Sequence, residues 1–311
     1  MRRWDRLAEG YLSECEARGL APQTLERMAG EVDRWGSWLK RRRPRPSLDE
    51  IDADLITRYL TGRASFRAKS TLASILGVMR GMGDYLVREG VWVSSPLRWM
   101  KGPKIDPRRL SPRRIGRESM EALWRSGASY GRGYHRYQWL AVMGLLYGTG
   151  LRRGELERLD LSDWDRESST LWIDGRKSGR ERRAAVPPLA WRCLGAYLPH
   201  RQNHLETLGL IEQRALFVNR DGGRLAGHAI SRALKSMARR AGIGHVTMHQ
   251  FRHSCASDLL EDGVRLVEVQ RVLGHAQIST TVRYVHVADP ARREAVALHP
   301  INRMLGREVA A

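Results

Sequence analysis

Six side chains from the middle of the chain onward carry groups suited to work on a phosphodiester: Arg152, Lys177, His249, Arg252, His275 and Tyr284, in that order. Three cations, two imidazoles and one phenol are what phosphodiester exchange needs when neither metal nor nucleotide supplies the driving force. Arg152 stands in TGLRRGEL at 149–156, just after a glycine break and at the start of a helix. Free backbone N–H groups and the helix dipole favour an anion there, so Arg152 is placed to grip a phosphate. Glu155, three residues on and one turn up the same face, suits an ion pair that fixes a neighbouring cation. Taken alone, the segment reads equally well as an ordinary capped helix with surface arginines.

His249 and Arg252, in HQFRH, are spaced i and i+3, so an imidazole and a guanidinium face one site while Phe251 turns inward. His249 and His253 at i and i+4 also have the spacing of a metal pair. The glutamate of HExxH is missing, however, and a guanidinium at Arg252 would repel the ion, so no metal site is expected. His275 follows Gly274, and Tyr284 lies in the run ISTTVRYVHV. A lone tyrosine in such a run is most often buried with its hydroxyl satisfied, and Tyr284 stands out only by its company.

The elements that must position these groups fall into two parts. A chain of 311 residues fits two domains. Apolar residues recur at helical spacing from Trp4 to about Gly90 and predict four helices, with a capping box at Ser47 to Glu50 opening the third and Gly90 closing the fourth. From Ser94 to Arg117 four prolines interrupt a run of cations, among them Arg98, Lys101, Lys104, Arg108, Arg109, Arg113 and Arg114, with Asp106 the one acid. The segment is a solvated spacer or a DNA contact, and the mutual repulsion of its charges favours DNA. Beyond it come helices around Met120 to Trp124 and Trp139 to Tyr147. A strand pair, Leu171 to Ile173 and Ala185 to Val186, follows and ends at Pro187 and Pro188. The expected boundaries are 1–93, 94–117 and 118–311.

With 54 Lys and Arg against 34 Asp and Glu, the formal charge is +20, a balance that favours a polyanionic partner. Three scattered cysteines suggest neither a disulfide framework nor a zinc knuckle and point to a reducing cytoplasm. No secretory leader and no membrane span is legible.

The three boxes TGLRRGEL at 149–156, HQFRHSCASDLLEDG at 249–263 and VQRVLGHAQISTTVRYVHV at 269–287 closely resemble, in order and spacing, those of the tyrosine recombinases, the lambda integrase family, and most nearly its Xer-like branch. Gly154, where a serine is common, is a minor departure. The resemblance implies a mainly helical fold with a small β-hairpin: an all-α core-binding domain and an α+β catalytic domain forming a C-shaped clamp on DNA. It implies that Tyr284 is the nucleophile, that Arg152 and Arg252 hold the phosphate, and that His249 and His275 orient it and help remove the phenol proton. It also implies a proton-donating lysine on the hairpin turn, which GRKSGRERRAAVP at 175–187 matches best with Lys177, beside Arg176 and Arg180. No cofactor is implied.

The partner implied is double-stranded DNA carrying an inverted-repeat core site, synapsed by a homo- or hetero-tetramer in the cytoplasm, at the nucleoid. A tail helix at 289–311 would dock on a neighbouring protomer. Two other functions remain: an architectural DNA-binding protein without catalysis, which the charge and helical pattern suit equally, and a topoisomerase of the IB type that shares the chemistry and relaxes DNA as a monomer. The intact set of six argues against the first. Product topology separates the second.

Overall fold

The computed structural model describes residues 2–64, 68–104, 114–131, 133–175 and 181–275. The chain divides into two compact units, 1–110 and 111–311. The described residues are mostly helical, with one small antiparallel sheet among them.

Among the described residues, four helices build the first unit: α1 (Arg2–Ala17), α2 (Pro22–Lys40), α3 (Ala53–Ala64) and α4 (Lys69–Arg88). Their apolar stripes meet in a core around Trp35, Ile56, Met79, Met82 and Leu86, with Trp4 edge-on to Trp35 at 5.2 Å. Each large side chain fully buried there contributes roughly 1.5–3 kcal/mol. The third helix starts later than the Ser47–Glu50 pattern predicts. The Ser47 N–H does donate to Glu50 Oε2 at 2.8 Å, but that bond closes a turn, and Asp52 caps the helix by accepting from the Leu55 N–H at 2.7 Å. Ile51 and Ile56, at the two staple positions around Asp52, are both buried in the core and fix this later entry. Trp92 and Leu97, beyond α4, also belong to this core.

The second unit holds α5 (Arg117–Ala128), α6 (Tyr134–Thr149), α7 (Arg153–Arg158), α8 (Pro188–Thr207), α9 (Gly227–Arg240), α10 (Met248–Glu261) and α11 (Leu266–Leu273). Its sheet runs β1 (Trp164–Asp165), β2 (Thr170–Ile173) and β3 (Arg182–Ala185). Helix α6 is buried from Ala141 to Leu146 and packs against α5, α8 and α10, as an interior helix must. Strand β3 begins three residues earlier than the apolar pair Ala185–Val186 predicts, with Ile173 opposite Arg182 and Leu171 opposite Ala184. The polar start of that strand hid it. The two-residue β1 carries no periodic signal to read.

Candidate active site

Two helices end in glycine within the second unit, and both lead straight into residues singled out above. Helix α6 closes at Gly150 and α11 at Gly274, each in the left-handed region, with φ of 60° and 63°. A side chain at either position would be strained by its backbone and would also collide: with Leu273 at Gly150, and with Arg182 Cδ at 2.6 Å at Gly274. Arg152 lies two residues past the first glycine and His275 immediately after the second.

Arg252 joins the two helix ends. Its guanidinium, 2% exposed, donates to the Gly150 carbonyl at 2.5 Å and to the Leu273 carbonyl at 2.7 Å. The last carbonyls of a helix lack intrahelical partners and carry the negative end of its dipole, so a fixed cation both satisfies and stabilises them. Arg252 is delivered by α10, whose start is fixed by a reciprocal cap. Thr247 Oγ1 accepts from the Gln250 N–H at 3.2 Å, and Gln250 Oε1 accepts from the Thr247 N–H at 2.8 Å. Phe251, fully buried, turns that helix so that His249 and Arg252 share the opposite face.

Glu155 is the second hub. Buried at the third position of α7, it accepts from the Arg152 backbone N–H at 2.9 Å and from the Arg152 guanidinium at 2.6 Å. The anion at this helix start is therefore the chain's own carboxylate, and the Arg152 side chain remains 36% exposed beside it. Arg182, the first residue of β3, donates to the same carboxylate at 3.3 and 3.4 Å. Burial alone would raise the Glu155 pKa, but the Arg182 charge and the bonds from Arg152 outweigh it and hold the group below the usual carboxylate range.

The imidazoles sit in this cationic field. Burial, then the charges of Arg252, Arg152 and Arg182, push the pKa of His275 down to about 3. His253, buried behind the site, is lowered to about 4 by burial and then by His249 and Arg252. His249 is more exposed, yet loss of hydration and the charges of Arg252 and Arg152 lower it too. All three rings are neutral at pH 7 and can donate or accept one hydrogen bond. His249 and His253 meet edge to face at 5.6 Å, and among the described residues no cluster of His, Cys, Asp or Glu is arranged to hold a metal ion.

The structure thus brings Arg152, Glu155, His249, Arg252 and His275 together. Lys177, Tyr284, Arg108, Arg109 and Arg113 lie outside the described residues, as does the 289–311 tail. Arg98, Lys101 and Lys104 are exposed on the first unit. Arg114 is committed elsewhere: it pairs with Glu261 and, at 3.5 Å, with Asp258, which also accepts from the Tyr147 hydroxyl at 2.7 Å. The acids that neutralise it come from α10, far away in sequence, where a local charge count cannot find them. Arg182 was likewise missed. It stands in a run of arginines, and only strand alternation separates it, facing inward with Ala184, from the exposed Arg183.

The phage integrase family model matches residues 126–290. The tyrosine recombinase XerC of Roseiflexus sp. (strain RS-1) is 31% identical over 287 residues, covering 90% of each chain. Among solved structures, the XerH site-specific recombinase bound to palindromic difH substrate, in a post-cleavage complex, aligns over 91% of this chain and 81% of its own, with a TM-score of 0.73 at 20% identity. A lambda integrase tetramer bound to a Holliday junction aligns over 90% and 76%, with a TM-score of 0.69 at 17% identity. At these identities the two structures speak for the fold.

Proposed function

Since the chain belongs to the phage integrase family and is a site-specific tyrosine recombinase of the Xer-like branch that acts on DNA, we propose that Tyr284 is its nucleophile and that the lattice around Arg152, Arg252 and His275 receives the scissile phosphate. The observation that carries this reading is the clamp of Arg252 on the ends of α6 and α11, which fixes a buried cation between Arg152 and His275.

In the proposed step the phenolic oxygen of Tyr284 bonds to phosphorus and the bond from phosphorus to the 5′ oxygen breaks. The products are a 3′-phosphotyrosine and a free 5′ hydroxyl. The ester energy is retained, so the 5′ hydroxyl of a partner strand reverses the step without ATP. Charge gathers on the non-bridging oxygens, where guanidiniums already fixed in place stabilise it without reorganising. His275, held neutral, suits an N–H donated to one of those oxygens. His249, the more exposed ring, suits receipt of the phenol proton, whose unperturbed pKa of ~10 makes its loss a real barrier near pH 7. Lys177 gives a proton to the departing 5′ oxygen.

Arg98, Lys101 and Lys104, with Arg108, Arg109 and Arg113, are assigned to the DNA backbone, and residues 1–93 to a second DNA-binding domain. Affinity then falls steeply with salt as counterions are released. Strand exchange between two inverted-repeat sites requires a synapsed tetramer, and we assign residues 289–311 to the contact between protomers. A chain ending after Pro290 is expected to bind its site and fail to synapse. Among the described residues no helix is long and apolar enough to cross a membrane.

The decisive experiment lyses cells expressing the enzyme directly into denaturant, recovers protein still joined to DNA, and sequences the attached fragments. Fragments sharing an inverted repeat, and absent with Tyr284→Phe, are expected. A Tyr284→Phe protein that still forms the covalent complex would remove Tyr284 as nucleophile.

A further inference from the structure

Beyond α4 the chain folds back over the first unit and carries one tryptophan outward. Trp92 and Leu97 are buried in the core, and the Trp92 indole N–H donates to the Leu48 carbonyl at 2.6 Å. Past them the backbone closes on itself: the Arg98 N–H donates to the Ser95 carbonyl at 3.1 Å and the Met100 N–H to the Leu97 carbonyl at 3.3 Å. Arg80, on α4, donates to the Met100 carbonyl. The turn also presses on α4 at Gly83, where an added Cβ would come within 2.7 Å of Ser95 Oγ and 3.0 Å of Leu97 Cδ1. Trp99 is thus carried on a fixed turn, yet it is 83% exposed, whereas Trp4, Trp35 and Trp92 of the same unit are buried.

A tryptophan has much apolar surface to hide, so one held rigidly in the open marks a place that another molecule covers. The charge around it indicates which molecule. Residues 91–104 contain Arg98, Lys101 and Lys104, all exposed, and no acid. The Arg98 guanidinium stands over the Trp99 ring, 5.4 Å from its centroid. A phosphate gripped by that guanidinium is bonded on both sides to deoxyribose, whose carbons are the nearest apolar surface a DNA strand offers. An apolar protein surface would cover the indole and leave the cations unanswered; the sugar–phosphate chain answers both.

We propose that Trp99 packs its ring on a deoxyribose of the duplex, beside the phosphate taken by Arg98, and so gives the first unit a contact with DNA that does not depend on charge. The proposal rests on the assignment of Arg98, Lys101 and Lys104 to the DNA backbone. A ring on a sugar reads no base, so it adds affinity on any sequence. Because the turn is already set in the free protein, little ordering opposes the contact.

Salt separates this contact from its charged neighbours. Binding of the full chain to the recovered site and to a duplex of unrelated sequence is measured over a series of salt concentrations. Trp99→Ala is expected to weaken both by about 10-fold at every salt concentration, with the slope of log affinity against log salt unchanged, and Trp99→Phe to recover part of the loss. Lys101→Ala and Lys104→Ala are each expected to reduce that slope by about 1, as loss of one phosphate contact does.

Parent affinity in Trp99→Ala, with the lysine slopes as expected, overturns the sugar contact and leaves the backbone assignment standing. A slope that falls with Trp99→Ala as it does with the lysines overturns it too, because the ring then serves only to hold Arg98 on its phosphate. Normal binding with loss of synapsis places a second copy of the chain, and not DNA, against the ring. If the lysine variants keep the parent slope, the backbone assignment itself fails and the contact falls with it. Should Trp99→Ala fail to fold, Trp99→Gln is read by the same two quantities.

Discussion

Glu31 in the first unit and Glu155 in the second are both buried carboxylates with an arginine three residues away and a second arginine brought in from elsewhere. Glu31 accepts from Arg34 at 2.7 Å, from Arg63 at 3.0 Å and from the Tyr59 hydroxyl at 2.6 Å. Glu155 accepts from Arg152 at 2.6 Å and from Arg182 at 3.3 Å. The two hubs are built alike and differ in what lies beyond the arginines. Past Arg34, 50% exposed, there is solvent, and residues 1–110 contain no histidine at all. Past Arg152 lie Arg252, two glycine-ended helices and His275. A buried carboxylate with two guanidiniums is a staple in either place. It becomes part of a reactive site only where neutral imidazoles and helix ends share its field.

The largest effect that sharpens this contrast is the loss of the exposed arginine from each hub. Arg152→Ala is expected to slow formation of the covalent complex at least 10²–10³-fold, the scale for removing one group that stabilises transition-state charge. Arg34→Ala is expected to leave that rate alone. Both changes remove a half-exposed ion pair, so their stability costs are similar, about 0.5–1 kcal/mol by thermal unfolding. Equal rates for the two variants would erase the distinction between the hubs.

Removing the carboxylates themselves comes next. Glu155→Gln strands Arg182, 11% exposed, with no counter-charge, a loss of about 3 kcal/mol for a nearly buried pair. Glu31→Gln leaves Arg34 and Arg63, 50% and 22% exposed, able to recover water, and costs about 1–2 kcal/mol. Hydrogen exchange on the full chain assigns each loss to its unit. A larger loss from Glu31→Gln would mean that burial of the cation does not govern the cost.

The same contrast shows what a sequence can disclose. Glu155 is legible as the partner of a cation three residues away, and the glycines after α6 and α11 are legible as helix ends. The apolar face of α6 and the helices of the first unit follow from spacing alone. Arg182 is not legible: four arginines crowd residues 176–183, and which one turns inward depends on a register that only pairing with β2 sets. Arg114 misleads for a related reason, since Glu261 and Asp258 reach it only after α10 has folded. Local pattern fixes elements and their ends, whereas the partner of a charge is a tertiary fact.

Acid should separate the two units by a smaller but cleaner margin. His275 and His253 have pKa values of about 3 and about 4 in the folded chain, against ~6.5 when unfolded. Between those limits the unfolded state binds more protons than the folded one, so stability rises with pH and is lost as pH falls below ~6.5. Each ring contributes at most ~1.4 kcal/mol per pH unit, and about 1 kcal/mol per unit is expected for the pair together once relaxation is allowed. Glu155 adds nothing between pH 7 and 5, because a depressed carboxylate loses its contribution only as pH falls below its unfolded value of ~4.3. With no histidine, the first unit is expected to hold its stability from pH 7 to 5 while the second weakens. Hydrogen exchange at a series of pH values reads both units in one sample, and His275→Gln should shallow the slope of the second. A first unit that weakens in parallel would locate the acid sensitivity outside these imidazoles and dissolve the contrast between the two hubs.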